Sequence, residues 1–201
     1  MSWILGEREG ATMFSFRRKR TISLEDQIDK LSVLGISLNP AINISDLLEA
    51  HSRTEFEEDP FQLLLICLGG EIHKNEKWYE ASEHVWYFDT ECIEDQGDYV
   101  WIIEKLKKMT KVDIRNVKDT IRPDVEEAMV SFEYNNQQIE WKLNFEDDWL
   151  DLEIFHRFNQ LTNEERDKRI AVMSLDQSCL IAYLTRAERK VLNKLLKYKF
   201  Q

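Results

Sequence analysis

The chain has 201 residues, the length of one ordinary domain, and 43% of them are hydrophobic, which is enough for a core. It carries 38 acidic and 27 basic residues, for a net charge of −11. That balance argues against nucleic acid as a partner, because binding phosphates requires clustered Lys and Arg. The longest apolar run is too short to span a bilayer, so we expect no membrane partner either.

The N-terminal residues 1–20 are predicted to be a flexible extension, and residues 21–201 are predicted to be a single domain. The extension ends in the basic run Arg17-Arg18-Lys19-Arg20. A short run of charges of one sign is typical of a solvated segment without a folded core of its own.

The cysteines indicate a reducing compartment. Cys67, Cys92 and Cys179 are an odd number, lie far apart and include no CxxC pair. Each stands in an apolar or strand-like context, which is typical of buried, reduced thiols. We therefore expect a cytoplasmic protein.

Three helices are predicted at the start of the domain. Ser23 is a typical N-cap for the first, whose apolar residues recur at helical spacing until Gly35 ends it. Ser45 is predicted to cap a second, shorter helix. A third helix is apolar on every side, with Asp59 as its N-cap and Gly69 at its end, and such a helix belongs in the centre of a domain.

The middle of the chain predicts a strand followed by a helix. Residues 84–93 alternate between the two faces of a strand, with Trp86 and Phe88 on one face. Asp98 is predicted to cap the helix that follows, and lysines collect at the far end of that helix, as its dipole favours. Residues 114–124 are predicted to form a short helix or turn.

The second half of the chain predicts two hairpins and two helices. Strands are predicted on either side of residues 135–136 and of residues 176–177, because these pairs suit tight turns. A helix with Asp148 or Asp151 as its N-cap follows the first hairpin, and Thr185 opens the last helix with a capping box. Together the elements predict an α+β fold with a mainly antiparallel sheet and helices packed on one side.

Acidic residues are concentrated between Glu55 and Asp98, where Lys74 and Lys77 are the only bases, and a second acidic group surrounds a tryptophan. Carboxylates beside an aromatic anchor are typical of an interface with a basic protein. The sequence does not say whether the two acidic turns lie at the same edge. The predicted binding residues are Asp89, Glu91, Glu94, Asp95, Asp147, Asp148 and Trp149.

Asp89 and Glu91 allow three interpretations. On one face of a strand their side chains would lie about 6–7 Å apart, which suits acid/base catalysis or shared ligation of a hard cation. The same spacing suits recognition of Lys and Arg. In the structural interpretation they end the strand and cap the next turn. No cofactor and no metal are expected, because no nucleotide, zinc or hydrolase signature occurs.

Four runs stand out as a group: LLLICLGGE, HVWYFDTECIEDQGDYVWIIEKL, FEDDWLD and DQSCLIAYLT. In these runs the chain resembles a family of stand-alone bacterial proteins of unassigned function, from about Met13 onward. The resemblance implies no catalytic motif. In size and charge the chain is also similar to immunity proteins of bacterial toxin systems, which are small, acidic, cytosolic α+β proteins that block a basic toxin domain.

These observations favour a non-enzymatic, acidic protein-binding module of the immunity type that engages a basic partner through an acidic turn. One alternative is a hydrolase that uses Asp89 and Glu91 with a metal or as an acid/base pair. Another is a structural or regulatory protein with no site in this segment. Binding is favoured over catalysis because no His, Lys or Ser motif accompanies the acids. We expect a monomer or a homodimer.

Overall fold

A computed structural model describes residues 21–162 and 167–201. The predicted extension, residues 1–20, lies outside the described residues. In the described part the helices are α1 (Leu24–Val33), α2 (Ile44–Ala50), α3 (Arg53–Glu58), α4 (Gln62–Gly69), α5 (Asp98–Thr110), α6 (Glu153–Leu161) and α7 (Arg186–Leu195). The strands are β1 (Glu71–Lys74), β2 (Lys77–Glu80), β3 (Val85–Asp89), β4 (Ile114–Arg122), β5 (Glu127–Tyr134), β6 (Gln137–Asn144), β7 (Lys168–Leu175) and β8 (Ser178–Thr185).

The strands of the described residues form three antiparallel sheets, ordered β1–β2, β3–β8–β7 and β4–β5–β6, which confirms the predicted α+β class. The β3–β8–β7 sheet is buried on both faces. Trp86 and Ile181 on one face pack into a core with α5, α6 and the β4–β5–β6 sheet. Val85 and Leu180 on the other face pack into a second core with α1 to α4 and α7. The β3–β8–β7 sheet therefore lies between two hydrophobic cores and contributes residues to both.

Local capping explains where some helices begin. Ser23 caps α1, since its hydroxyl oxygen accepts a hydrogen bond from the Asp26 N–H at 3.1 Å, and this prediction is confirmed. The capping box that Thr185 forms for α7 is also confirmed. The prediction for Ser45 is wrong. Asn43 caps α2 in its place, because its side chain reaches the first free N–H groups from two residues earlier.

The apolar helix α4 is a buried helix, as predicted, but its start is set by a tertiary contact. Asp59 is not its N-cap, because that residue ends α3. The chain turns at Phe61, whose φ is 68° and whose N–H donates to the Gln27 side chain of α1 at 2.8 Å. At the other end, a Cβ on Gly69 would lie 2.5 Å from the Tyr87 nitrogen, so only glycine lets α4 approach β3 this closely.

Most of residues 114–124 form a strand, so the prediction of a short helix or turn there is wrong. This strand, β4, pairs with β5, and its register shifts between Arg115 and Lys118. Asn116 has a φ of 54° inside that bulge. The extra residue interrupts the alternation of faces, and with it the pattern by which a strand is recognised. The break predicted at Pro123 is confirmed by a single 3-10 turn.

Both predicted hairpins are confirmed. Residues 135–136 join β5 to β6 with left-handed backbone angles, and residues 176–177 join β7 to β8. Along β6, Trp141 and Leu143 alternate with exposed polar residues, so this sheet has one dry face and one wet face.

Candidate functional site

Three turns meet where β3 ends. The Leu150 N–H donates to the carbonyl oxygen of Thr90 at 2.8 Å, and the Ile93 N–H donates to that of Asp148 at 2.9 Å. The N–H of Thr90 donates to the carbonyl oxygen of Gln177 at 2.8 Å. Backbone hydrogen bonds thus bring together two acidic segments whose bonded residues are more than 50 positions apart in the chain, a relation that the sequence leaves open.

We call the surface formed by residues 89–98 and 146–151 the acidic face. Strand β3 is shorter than predicted and stops at Asp89, after which only an isolated bridge between Glu91 and Trp149 continues the pairing. All seven predicted binding residues lie in this face. Trp149 keeps 38% of its surface exposed there, beside the acids, where an aromatic side chain can anchor a partner.

Asp89 and Glu91 hold the strand end in place. The Asp89 carboxylate accepts a hydrogen bond from the Glu91 N–H at 3.0 Å. The Glu91 carboxylate accepts one from the side-chain amide of Gln177 at 2.7 Å. One oxygen of each carboxylate therefore holds the turn, as the structural interpretation of this pair expects, and the binding and catalytic interpretations stay predictions.

The predicted N-cap of α5 is wrong, and its true cap was missed. The cap position is Gly97, at a φ of 108°, and Asp98 is the first helical residue. The Asp119 carboxylate, from β4, accepts hydrogen bonds from the N–H groups of Gly97, Tyr99 and Val100 at 2.9, 3.0 and 3.3 Å. A negative charge there also suits the helix dipole. The signal that could have indicated this role is an acid with apolar residues two positions away on each side, Val117 and Ile121.

Asp151 anchors the second acidic turn. Its carboxylate accepts hydrogen bonds from the N–H groups of Asn144 at 2.8 Å and Glu153 at 3.0 Å. The N-cap position of α6 is Leu152, so the prediction that Asp151 is the N-cap is wrong. Asp151 lies one residue before the cap. Its own N–H donates to the hydroxyl oxygen of Tyr99 at 3.3 Å, and burial raises the pKa of Tyr99 to about 12. That contact ties the turn to α5.

The six remaining carboxylates of the acidic face divide into one that holds a turn and five that have no hydrogen bond or ion pair among the described residues. The Asp98 carboxylate accepts hydrogen bonds from the N–H groups of Glu94 and Asp95 at 2.8 and 2.7 Å, which fixes the backbone of that turn. Five side chains of the face make no hydrogen bond and no ion pair with any described residue: Glu94, Asp95, Glu146, Asp147 and Asp148. Asp148, the other predicted N-cap of α6, lies five residues ahead of that helix.

A shallow depression continues the acidic face toward the start of β5. Its lining includes Pro123, Glu126, Phe145, Glu146 and Asp147. Three of these residues are acidic and one is aromatic. The depression can therefore receive a long basic side chain, with its methylenes against the ring and its charge beside the carboxylates.

The three thiols have raised pKa values. Burial, together with the carboxylates of Asp98, Asp89 and Asp148, raises the pKa of Cys92 to about 11. Burial likewise raises the pKa of Cys67 to about 11 and that of Cys179 to about 12. These thiols stay protonated near neutral pH, and a protonated thiol is a poor nucleophile.

Within residues 21–162 and 167–201, no group of three or more His, Cys, Asp and Glu side chains is arranged to hold a metal ion. No helix of that part of the chain has the length and apolar character needed to cross a membrane. Comparisons with protein-family models, with curated proteins and with solved structures each found no match to this chain. The resemblance of the four sequence runs to a bacterial family therefore stays a prediction.

Proposed function

We propose that the chain is a non-enzymatic protein-binding module whose acidic face engages a basic protein. One observation carries the proposal: five carboxylates lie free around an exposed tryptophan, with no counter-charge among the described residues. Like charges held together repel one another, and a basic partner relieves that repulsion on binding. Complementary charge of this kind speeds encounter and sets specificity.

The immunity type is the particular form that we propose. Its support is the acidic charge of −11 carried by a small α+β chain, which suits a protein that neutralises a basic toxin domain. We further propose that it acts in the cytoplasm, with Cys67, Cys92 and Cys179 reduced, since all three are free cysteines. Neither nucleic acid nor a membrane is a partner in this proposal.

The test is affinity capture from bacterial lysate, followed by titration of each captured protein against the purified chain. The test variant is Glu94→Gln/Asp95→Asn/Asp147→Asn/Asp148→Asn. These four side chains make no hydrogen bond and no ion pair with any described residue, so we expect the variant to keep its fold. We expect a basic partner that binds the wild type and loses at least about tenfold in affinity with the variant.

The matched control removes four charges elsewhere: Glu58→Gln/Asp59→Asn/Glu71→Gln/Glu76→Gln. These residues lie on α3, its end and the β1–β2 hairpin, and their side chains also lack partners in the described part of the chain. The control should bind as the wild type does, with the same weakening by salt. Equal losses in the variant and the control would reduce the effect to net charge, and the proposed face would be rejected.

A further inference from the structure

The outer strands of the two three-stranded sheets differ in how well they are protected. The close approach of Gly69 to the Tyr87 nitrogen places α4 against the outer edge of β3. The N–H and C=O of Val172 in β7 both pair with Gln201, at 3.4 and 2.8 Å. Strand β4 carries the bulge at Asn116. Covered edges and bulges are the usual devices that prevent a sheet from adding another strand.

Strand β6 has a stretch of edge that the described residues leave open. Tyr134 and Gln137 flank a two-residue turn, and residues in that position are hydrogen-bonded to each other. Because hydrogen-bonded pairs alternate along an antiparallel ladder, Ile139 also directs its backbone groups toward β5. Its even-numbered residues must therefore direct their N–H and C=O groups outward. Two contacts agree with this: the Asn144 N–H donates to Asp151, and the Lys142 carbonyl oxygen accepts from Arg157.

The open stretch consists of Gln138 and Glu140. Their outward N–H and C=O groups have no hydrogen-bond partner among the described residues. On one side the stretch ends at the turn of residues 135–136. On the other side it ends where the Arg157 guanidinium donates a hydrogen bond to the Lys142 carbonyl oxygen at 2.7 Å. A row of free backbone groups between two covered positions is a template for a strand of matching length.

We propose that a second copy of this chain pairs with β6 in antiparallel fashion, with the two-fold axis at Ile139. Gln138 of each copy then lies opposite Glu140 of the other. Each pair of Gln138 and Glu140 across the axis exchanges two backbone hydrogen bonds. The two pairs together form four, which use every free N–H and C=O group of both stretches. Ile139, which bonds inward to β5, is the kind of residue that must stand at the axis of such a pair.

Alternative registers are less favourable. An axis at Glu140 would place two glutamates directly opposite each other, and like charges in that position destabilise a sheet. An axis at Trp141 would require the Lys142 carbonyl oxygen, which Arg157 already occupies. With the axis at Ile139, the Gln138 amide can donate to the Glu140 carboxylate of the second copy. The two isoleucines then meet on the apolar face.

The test is the oligomeric state of the full chain. Sedimentation velocity at rising concentration should show a monomer–dimer equilibrium for the wild type. Glu140→Pro should shift it to monomer, because proline removes one outward N–H and leaves the bonds to β5 intact. Glu140→Gln is the control, since it keeps the N–H and a side-chain oxygen that can accept from Gln138, and it should dimerise as the wild type does.

Amide hydrogen exchange provides a second measurement that needs no variant. The amides of Gln138 and Glu140 should exchange more slowly as the wild-type concentration rises, while the exposed amide of Asn136 in the turn stays fast. A wild type that is monomeric at all concentrations would overturn the proposal, as would a dimer whose Gln138 and Glu140 amides stay fast. A dimer retained by a folded Glu140→Pro would do the same. The acidic face plays no part in this pairing.

Discussion

Two regions of the molecule treat their carboxylates in opposite ways. On the β1–β2 side, Glu80 lies between Lys105 and Lys108 at 2.8 and 2.7 Å, and Asp46 pairs with Lys74 at 2.7 Å. On the acidic face, the described residues provide no lysine or arginine within ion-pair distance of any carboxylate. The same residue types are thus paired with lysines in one region and left without a paired base among the described residues in the other.

The pKa values follow this contrast on the paired side. Burial raises the pKa of Glu80, but hydrogen bonds from the two lysines more than offset that effect, so the pKa lies below its ordinary value of 4.5. A hydrogen bond from Lys74 likewise lowers the pKa of Asp46. Paired acids therefore contribute to the stability of the fold. Acids that form no ion pair among the described residues contribute little to it.

The largest expected effect comes from breaking the Glu80 pairs. Glu80→Gln leaves the ammonium group of Lys105, a side chain only 14% exposed, without its carboxylate. We expect the free energy of unfolding in urea to fall by about 2 kcal/mol. The control is Glu104→Gln, which removes a surface pair with Lys107 and should cost less than about 0.5 kcal/mol. Equal losses would show that burial of the pair does not matter.

The same pair predicts a pH dependence. Because the folded pKa of Glu80 is below its unfolded value, the unfolded chain binds the extra proton as pH falls below 4.5. The contribution of Glu80 is therefore complete above that pH and is lost as pH falls through the folded pKa. Unfolding curves of wild type and Glu80→Gln should converge in that range. A difference that stays constant would contradict the assignment.

A smaller loss is expected at the cap of α5. Asp119→Ala removes the acceptor for three N–H groups at the start of the helix, and should lower the free energy of unfolding by about 1–2 kcal/mol. Asp119→Asn keeps an acceptor oxygen and should recover part of the loss. Asp124→Ala, at an exposed acid of the 3-10 turn, is the neutral control. Wild-type stability for Asp119→Ala would exclude the tertiary cap.

The smallest effect on stability belongs to the free acids. The quadruple variant of Glu94, Asp95, Asp147 and Asp148 should unfold within about 0.5 kcal/mol of the wild type, because only mutual repulsion is removed. Thermal and urea unfolding at low and at high salt measure the difference in unfolding free energy between the variant and the wild type. Any gain in stability should vanish at high salt, where the repulsion is already screened. A loss of several kcal/mol would place these acids with the structural ones.

The accuracy of the sequence predictions followed the distance between interacting residues. Helix α1 was predicted correctly because Ser23 caps it from within the same turn. Helix α5 was given the wrong cap because its acceptor, Asp119, lies about 20 residues further along the chain. Strand β4 was missed because its bulge hides the two-residue period on which recognition of a strand depends.

The sequence by itself determined the α+β class, the two hairpins, the buried α4 and the residues that make this protein acidic, since each depends on composition or on neighbours a few residues apart. Only the tertiary structure decided which acids hold turns and which are free. It also decided that residues 89–98 and 146–151 form one surface, and that the outward backbone groups of Gln138 and Glu140 in β6 have no partner among the described residues. Those outcomes depend on hydrogen bonds between segments whose meeting no local pattern encodes.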